Sequence, residues 1–237
     1  MEEKDYSYID TNIASVRERL ERAALSAGRR AEDITFLAAI KSADIGEINY
    51  LHQKLFVDNF GENRVQQLMS RYDEMDKRGL KLHFIGKLQR NKVKYIIDKV
   101  DMIHSVDSKA LADEISSRAI KARKCMDVLM EINIGEEPDK SGVMPELAKE
   151  TAVYIDKLEG IRLCGFMTMA PVCRTDEQYR AYFSKMRELS YEIWSRDLKK
   201  EGHPELSMGM SGSFEAAVAE GATVVRIGRC LFQKDRL

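Results

Sequence analysis

Lys41 stands directly after the apolar run ITFLAAI, which is typical of a buried strand. In a parallel α/β fold, residues that follow such strands collect at the carboxyl edge of the sheet, where chemistry takes place. Flanked by Ile40 and an apolar core, the Lys41 ammonium is expected to be partly desolvated, which lowers its pKa and frees the amine to attack an aldehyde. A solvated lysine at a strand end is the alternative that position alone leaves open.

A second segment, LSMGMSGSFEAA, is suited to holding an anion. An apolar run ends near Met210 and a helix is predicted to begin between Ser211 and Ser213, so main-chain N–H groups, the helix dipole and the Ser211 hydroxyl can receive a phosphate. In VVRIGR, Gly228 and the main chain of Arg229 follow the next run, and glycine permits close approach. Loops after the last two strands of a barrel commonly hold phosphate. A plain serine N-cap is the alternative.

Arg226 alternates with Val224 and Gly228 along the last apolar run, so the three share one face of a predicted strand. A guanidinium facing the inside of a barrel needs a partner. If that partner is the pyridine nitrogen of a cofactor, the arginine keeps its proton and the ring stays neutral, which disfavours long-lived carbanions. A structural ion pair with a carboxylate is the alternative. An imine-forming lysine and a remote anion site are the two halves of a pyridoxal 5'-phosphate site.

Eight apolar or β-branched runs alternate with longer segments of helical period, which is typical of βαβ units. The predicted strands are 34–40, 56–60, 82–85, 102–106, 128–134, 163–169, 206–210 and 223–227. The predicted helices between them are 44–54, 62–78, 89–98, 108–123, 145–157, 176–200 and 213–220. An apolar stripe predicts a further helix before the first strand; it consists of Ile9, Ile13, Val16, Leu20 and Ala24. We expect an α/β chain that forms a single (β/α)8 TIM barrel over 1–237, with an extra N-terminal helix and no crossover helix after the last strand.

Composition restricts the partners of the chain. Its 237 residues carry 38 Lys+Arg against 39 Asp+Glu, a net charge of -1, so no basic field predicts binding to nucleic acid or to a membrane surface. The polar N-terminus and the absence of a long apolar run predict a cytoplasmic protein. The four cysteines are scattered and are expected to be reduced, and the four histidines lack the spacing of a metal site, so no metal is predicted.

Six segments of the chain resemble, in sequence and in order, segments of a known protein family: FLAAIKSADIGEI, FGENRVQQL, LHFIGKLQRNKVKYI, INIGEEPDKSGV, GFMTMAP and LSMGMSGSFEAAVAEGATVVRIGR. Together they resemble, over nearly the whole chain, the pyridoxal phosphate homeostasis protein family, the YggS-like or proline-synthetase-cotranscribed proteins. That family is similar to the barrel domain of alanine racemase without its second, β-rich domain. The resemblance implies pyridoxal phosphate (PLP) held as a lysine imine, no clear catalytic turnover, and a role in vitamin B6 and amino-acid balance.

The resemblance also assigns cofactor-binding roles to eight residues. They are Lys41 for the imine, Arg226 for the pyridine nitrogen, Ser211, Gly228 and Arg229 for the phosphate, and Asn63, His83 and Met167 along the mouth of the barrel. No catalytic residue is assigned. Lys140 in GEEPDKSGV is a second lysine near the rim; a part in accepting or releasing the cofactor is a hypothesis, and a solvated lysine is the alternative.

The chain departs from the family at a few positions. Lys87 stands where the family usually has Pro, and Arg229 stands where it commonly has Thr, which removes a hydroxyl donor to phosphate but adds a cation.

Three function classes stay open, because a fold does not determine a function. They are a PLP carrier that serves apo PLP enzymes as a monomer or weak dimer, an amino-acid racemase, and a Schiff-base aldolase acting on a phosphorylated sugar. The assignment of Arg226 to a pyridine nitrogen favours a PLP protein over the aldolase. The missing second domain speaks against the racemase, because racemisation needs an acid/base on each face of the ring.

Overall fold

Eight parallel strands close into a barrel in the computed structural model, which describes residues 5–234. The strands pair in chain order, and the last pairs with the first. They are β1 (Thr35–Ala39), β2 (Asn59–Glu62), β3 (Lys81–Phe84), β4 (Met102–Val106), β5 (Met126–Glu131), β6 (Ile161–Met167), β7 (Glu205–Met210) and β8 (Val224–Ile227). The expected α/β class and (β/α)8 barrel are confirmed.

Helices cover the outside of the barrel, because each buries one apolar face against the strands. They are α1 (Ser7–Ser26), α2 (Ile45–Leu55), α3 (Val65–Arg71), α4 (Val93–Ile96), α5 (Lys109–Lys121), α6 (Pro145–Asp156), α7 (Asp176–Glu192), α8 (Phe214–Ala219) and α9 (Arg229–Phe232). Three predicted helices are α-helical over only part of their length. A 3-10 turn Tyr72–Glu74 follows α3, another, Arg90–Lys92, precedes α4, and a π-helical turn Ile193–Asp197 continues α7.

Three predicted strands end two or three residues from the expected position; they are those predicted at 56–60, 128–134 and 163–169, the last of which ends at Met167. The first two differences matter for the site. The strand predicted at 56–60 lies at Asn59–Glu62, because Phe56 ends α2 with a φ of 54° in the left-handed region and is 80% exposed. The strand predicted at 128–134 stops at Glu131. Glu62 and Glu131 are therefore each the last residue of a strand, at the edge where the loops begin.

Helix α1 lies between α8 and α2 on the outside of the barrel, and within residues 5–234 only the single turn α9 follows β8. Helix α1 packs against α8 and α9 on one side and contacts α2 on the other, with its predicted apolar stripe buried. Asn12 joins α1 to the segment around α9, because its Nδ2 donates to the main-chain oxygens of Leu231 and Gln233, each at 3.0 Å. The expected N-terminal helix is confirmed. The single turn α9 after β8 was not predicted from the sequence.

The barrel interior contains two small apolar clusters. One consists of Leu37, Ala39, Ile85 and Val224, and the other of Met102, Leu129 and Met167. Because Ile85 also lines the cleft at the mouth, the first cluster forms the floor beneath that cleft. The loops that line the cleft therefore rest on a closely packed barrel interior.

Candidate functional site

A cleft of about 550 Å³ opens at the carboxyl end of the strands. Its lining residues are Lys41, Ser42, Asn63, Arg64, Ile85, Gly86, Lys87, Glu131, Ser141 and Met169. Gly86 lets two of the loops meet closely, because a Cβ atom at this position would lie 2.1 Å from the main-chain oxygen of Asn63. The cleft combines three cationic side chains with one carboxyl group, which suits a small anionic ligand.

Lys41 lies two residues beyond the end of β1 and lines this cleft. Its side chain is exposed, so our expectation of a partly desolvated ammonium was wrong. The reason is geometric: Lys41 stands above the last layer of the barrel, and no described segment covers it. Its position at the mouth agrees with the sequence analysis, whereas its role as the imine lysine stays a prediction.

Buried polar groups hold the main chain on both sides of Lys41. Arg71 donates to the main-chain oxygens of Ile40 and Ala43, each at 3.0 Å, and pairs with the fully buried carboxylate of Glu62. Gln67 Nε2 donates to the oxygen of Lys41 itself at 2.9 Å. The turn that carries Lys41 is therefore fixed from below by α3, although the lysine side chain is free to reach into the cleft.

Asn63 joins Lys41 in the cleft, as predicted for a residue of the mouth. Its Oδ1 is buried and has no hydrogen-bond donor among residues 5–234. A buried oxygen without a donor is costly, so a ligand that offers an N–H or O–H group there would relieve the cost.

The predicted phosphate ligands lie together at the ends of β7 and β8. Gly228 N donates to Ser211 Oγ at 3.3 Å, which joins the two loops, and Ser213 precedes the short α8. A Cβ on Gly228 would lie 2.8 Å from the main-chain oxygen of Ala39, so only glycine fits this position. Arg229 is exposed at the start of α9. None of Ser211, Gly228 and Arg229 is a lining residue of the cleft that contains Lys41; they lie beside it, across β1.

Arg226 lies inside the barrel at 4% exposure. Its NH1 donates to Ser207 O at 2.7 Å and to Ser207 Oγ at 2.6 Å, and its NH2 donates to Thr168 O at 2.8 Å. No carboxylate of the described chain pairs with it, so the alternative of a structural ion pair finds no support there. Burial lowers its pKa to about 10, while the charge of Glu131 acts in the opposite direction. The guanidinium therefore stays protonated at neutral pH, and its Nε makes no hydrogen bond to residues 5–234.

Two histidines continue the hydrogen bonds of Arg226 across the barrel. His104 Nδ1 lies 3.0 Å from Ser207 Oγ, and His104 Nε2 lies 2.9 Å from His83 Nδ1. Burial lowers the pKa of His83 to about 4 and that of His104 well below its ordinary range, so both rings are neutral at physiological pH. We call the hydrogen-bonded side chains of Arg226, Ser207, His104 and His83 the histidine layer, and Arg226 is its one charged member.

His83 and Met167 are placed differently from our expectation. Both are buried, His83 in the histidine layer and Met167 in the apolar cluster with Met102, and neither is a lining residue of the cleft. His83 lies within β3 and is held by its contact with His104, whereas Met167 ends β6 but packs its side chain against Met102 and Leu129. Met169, two residues beyond β6, lines the cleft instead. A contact of His83 or Met167 with a cofactor stays a prediction.

Three site features were missed by the sequence analysis: the Glu62–Arg71 ion pair, the histidine layer and Glu131. Glu131 is 2% exposed, lines the cleft, and accepts a hydrogen bond from Ser141 Oγ at 3.1 Å. Its burial raises its pKa above the ordinary range of a glutamate. A charged residue inside the apolar run VLMEINI was the signal that pointed to it.

Other candidates contribute less. Lys140 Nζ lies 3.7 Å from Glu137 Oε2, and Lys140 does not line the cleft. Among residues 5–234, no three His, Cys, Asp or Glu side chains gather in a way that would hold a metal ion. No helix of the described chain has the length and apolar character needed to cross a bilayer.

Comparison with known proteins adds a family to this geometry. The family model described as alanine racemase, N-terminal domain, matches residues 9–235. The pyridoxal phosphate homeostasis protein of Aquifex aeolicus is 43% identical over 223 residues, which cover 93% of this chain and 95% of that protein. PipY of Synechococcus elongatus, solved with PLP bound, is 29% identical with a TM-score of 0.80 and covers 95% of this chain and 100% of PipY.

A more distant comparison concerns the fold alone. The alanine racemase of Clostridium difficile is 21% identical with a TM-score of 0.71, and the match covers 98% of this chain but 57% of the racemase. The shared part is the barrel. The chain belongs to the pyridoxal phosphate homeostasis protein family and carries its alanine racemase N-terminal domain.

Proposed function

We propose that this chain binds PLP through Lys41 and serves in PLP homeostasis, holding the cofactor and handing it on without turning over a substrate of its own. The observation that carries the proposal is the combination of Lys41 in the open cleft with Arg226 beneath it, whose Nε has no acceptor in the described chain. The family name and the PLP-bound PipY structure support the same cofactor.

The residues present fit the cofactor in charge and in hydrogen-bonding capacity. PLP supplies an aldehyde that bonds reversibly to amines. Lys41 would provide the amine, and Arg226 Nε would donate to the pyridine nitrogen. Ser211, the main-chain N–H groups of Gly228 and Arg229, and the Arg229 guanidinium would hold the phosphate. The unsatisfied Oδ1 of Asn63 offers an acceptor to a donor on the ligand.

The environment of Arg226 favours holding over catalysis. A protonated arginine leaves the pyridine ring neutral, which makes the ring a poor electron sink and disfavours carbanion chemistry. No tyrosine or histidine is among the lining residues of the cleft, so the tyrosine that serves the opposite ring face in the racemase has no counterpart in this lining. A carrier role is therefore favoured over the racemase alternative.

The proposal extends to the setting of the protein. We place it in the cytosol, with the barrel as one functional unit over 1–237, acting as a monomer or weak dimer, and with apo forms of PLP enzymes as recipients. A protected covalent link would keep the reactive aldehyde from other cellular amines until a recipient takes it.

Trapping of the link tests the proposal. The purified protein mixed with PLP should show a visible absorption band that borohydride removes, and mass spectrometry should find the reduced cofactor on the peptide containing Lys41. Lys41→Ala should lose the band, while Lys94→Ala, at an exposed lysine of α4, should keep it. An unchanged band in Lys41→Ala would reject the assignment.

A second assay tests the racemase alternative. Interconversion of D- and L-alanine should stay at background with PLP added; robust turnover would favour the racemase.

A further inference from the structure

Glu131 differs from every other buried glutamate of the described chain in what holds it. Glu62 pairs with Arg71 and also accepts from two main-chain N–H groups. Glu220 accepts from two arginines, at 2.8 and 3.0 Å. Glu47 uses both of its oxygens in contacts with Tyr8 and with the main chain of Asp44.

By contrast, Glu131 has no cationic partner within residues 5–234 and receives one hydrogen bond, from the neutral hydroxyl of Ser141 to Oε1. Its Oε2 has no donor in this part of the chain. A carboxylate buried to 2% exposure is expensive unless it is paired, so a residue kept in this state is a candidate for contact with a ligand.

The loop after β5 fixes this arrangement. It folds back on the strand end, where Val143 N donates to Glu131 O at 2.8 Å and Asn133 N donates to Val143 O at 3.0 Å. Gly142 makes the fold-back possible, since its φ is 111° and a Cβ there would lie 2.6 Å from Asn133 N. Ser141 is thereby held against Oε1, and Oε2 is left as the free acceptor.

Among residues 5–234, Glu131 is also the one acidic residue that lines the cleft containing Lys41. Burial raises its pKa most strongly, Asp107 adds to this, and Ser141, Arg226 and Lys87 oppose it. A carboxylate of raised basicity in the cleft is suited to receive a proton from a donor that enters beside Lys41.

We propose that Glu131 accepts a proton from a primary ammonium group that enters the cleft, and so allows an incoming amine to displace Lys41 and carry the cofactor away. This inference rests on the proposed function, because it gives the release step of the same site. The ligand class is a primary amine, which is the chemistry shared by a free amino acid and by a lysine side chain of a recipient protein.

The step balances without any oxidant or reductant. One proton moves from the ammonium nitrogen to Glu131, which gives a neutral amine and a carboxylic acid. The lone pair of the amine forms a bond to the carbon of PLP that is doubly bonded to Lys41 Nζ, and one electron pair of that double bond goes to Nζ. The two protons that remain on the amine nitrogen then pass to Nζ, and the remaining bond from the carbon to Nζ breaks with its electron pair going to Nζ while the amine nitrogen forms its second bond to the carbon. Glu131 finally gives its proton to Nζ, so the carboxylate is restored and Lys41 leaves as an ammonium.

A first experiment uses the cofactor-free protein, so its result does not depend on the proposed function. Methylammonium is titrated into 13C,15N-labelled protein, and the chemical shifts of Glu131 and Ser141 are followed. We expect saturable shifts in the wild type, their loss in Glu131→Gln, and their retention in Glu136→Gln, which alters an exposed glutamate of the same loop. No saturable shift in the wild type, or equal shifts in Glu131→Gln, would overturn the proposal.

A second experiment measures release of bound PLP by two nucleophiles. Glycine is an ammonium at neutral pH and needs a base, whereas hydroxylamine is largely unprotonated and does not. In Glu131→Gln the release rate with glycine should fall about a hundredfold, and the rate with hydroxylamine should change little. The ratio of the two rates cancels any change in PLP affinity. Equal slowing with both reagents would show a structural role and refute the proposal.

The source of the amine is decided by comparing glycine with an apo PLP enzyme as the acceptor. Acceleration of release by the apoenzyme that is lost in Glu131→Gln identifies a protein lysine as the entering group. Acceleration by glycine alone identifies free amino acids. Acceleration by neither in the wild type would reject amine-driven release. If PLP never binds, the proposed function fails, while the methylammonium titration still decides whether Glu131 is an ammonium site.

Discussion

Glu62 and Arg71 form a buried ion pair, and Arg71 uses its remaining hydrogen bonds to hold the main chain on both sides of Lys41. Glu62 is the last residue of β2 and Arg71 is the last residue of α3, so the pair links a strand of the barrel to its covering helix. The position of Lys41 therefore depends on two charges that never reach the cleft.

Loss of Arg71 should be strongly destabilising. Arg71→Met leaves the Glu62 carboxylate buried without its cation, which should lower the free energy of unfolding by about 3–5 kcal/mol. The double variant Glu62→Gln/Arg71→Met should recover a large part of the loss, because no charge is then stranded. Urea unfolding at neutral pH gives the comparison. Arg196→Met, which breaks an exposed pair with Glu192, serves as the control. A double variant no more stable than Arg71→Met would contradict the explanation.

Gly228→Ala should weaken PLP binding by about tenfold, because the new methyl group would lie 2.8 Å from Ala39 O and force β1 and β8 apart beside the predicted phosphate site. Gly212→Ala is the matched control, since a Cβ there meets no atom within 4 Å. Both variants can be compared by titrating PLP against the absorption band. Equal affinities would show that close approach at Gly228 is not needed.

Stability should fall between pH 6.5 and pH 4 because of the neutral histidines. The pKa of His83 is about 4 in the folded chain and 6.5 when it is solvated, so the unfolded state binds more protons in this window. The free energy of unfolding therefore rises with pH there, and His83 alone accounts for about 3 kcal/mol. His83→Gln should flatten the measured dependence, whereas His203→Gln, at an exposed histidine, should leave it unchanged. A slope identical in His83→Gln and the wild type would be inconsistent with a depressed pKa.

Arg229 should contribute charge rather than shape to phosphate binding. Arg229→Ala should lower the affinity for PLP about threefold to tenfold and reduce its dependence on ionic strength, because an exposed cation is screened by salt. Binding of pyridoxal, which lacks the phosphate, should be unaffected. Arg229→Thr should show the same weaker salt dependence while offering a hydroxyl donor. Equal loss for pyridoxal and PLP would place Arg229 outside the phosphate site.

The strands were predictable because parallel barrel strands are buried on both faces and therefore form continuous apolar runs. The residues at which the strands end were harder to predict. Phe56 is apolar enough to extend a strand, yet it ends a helix in the left-handed region and faces solvent. The run VLMEINI likewise continues past the true strand end at Glu131.

Site residues were predictable where position after a strand sufficed, as for Lys41 and Asn63. Their surroundings were not, since burial depends on which loops cover a residue. The exposure of Lys41 and the burial of Glu131 are both of this kind. The contact between His83 and His104 depends on how β3 and β4 lie side by side, which single-strand patterns do not contain.

Helix α1, which contacts α2 as well, packs against α8 and α9, two helices that come about two hundred residues later in the chain. During synthesis α1 emerges well before α8 and α9, so its apolar stripe lacks their covering surface until both have been made. Closure of this side of the barrel on the ribosome therefore waits for α8 and α9, and until then the stripe of the nascent chain is a surface to which chaperones can bind.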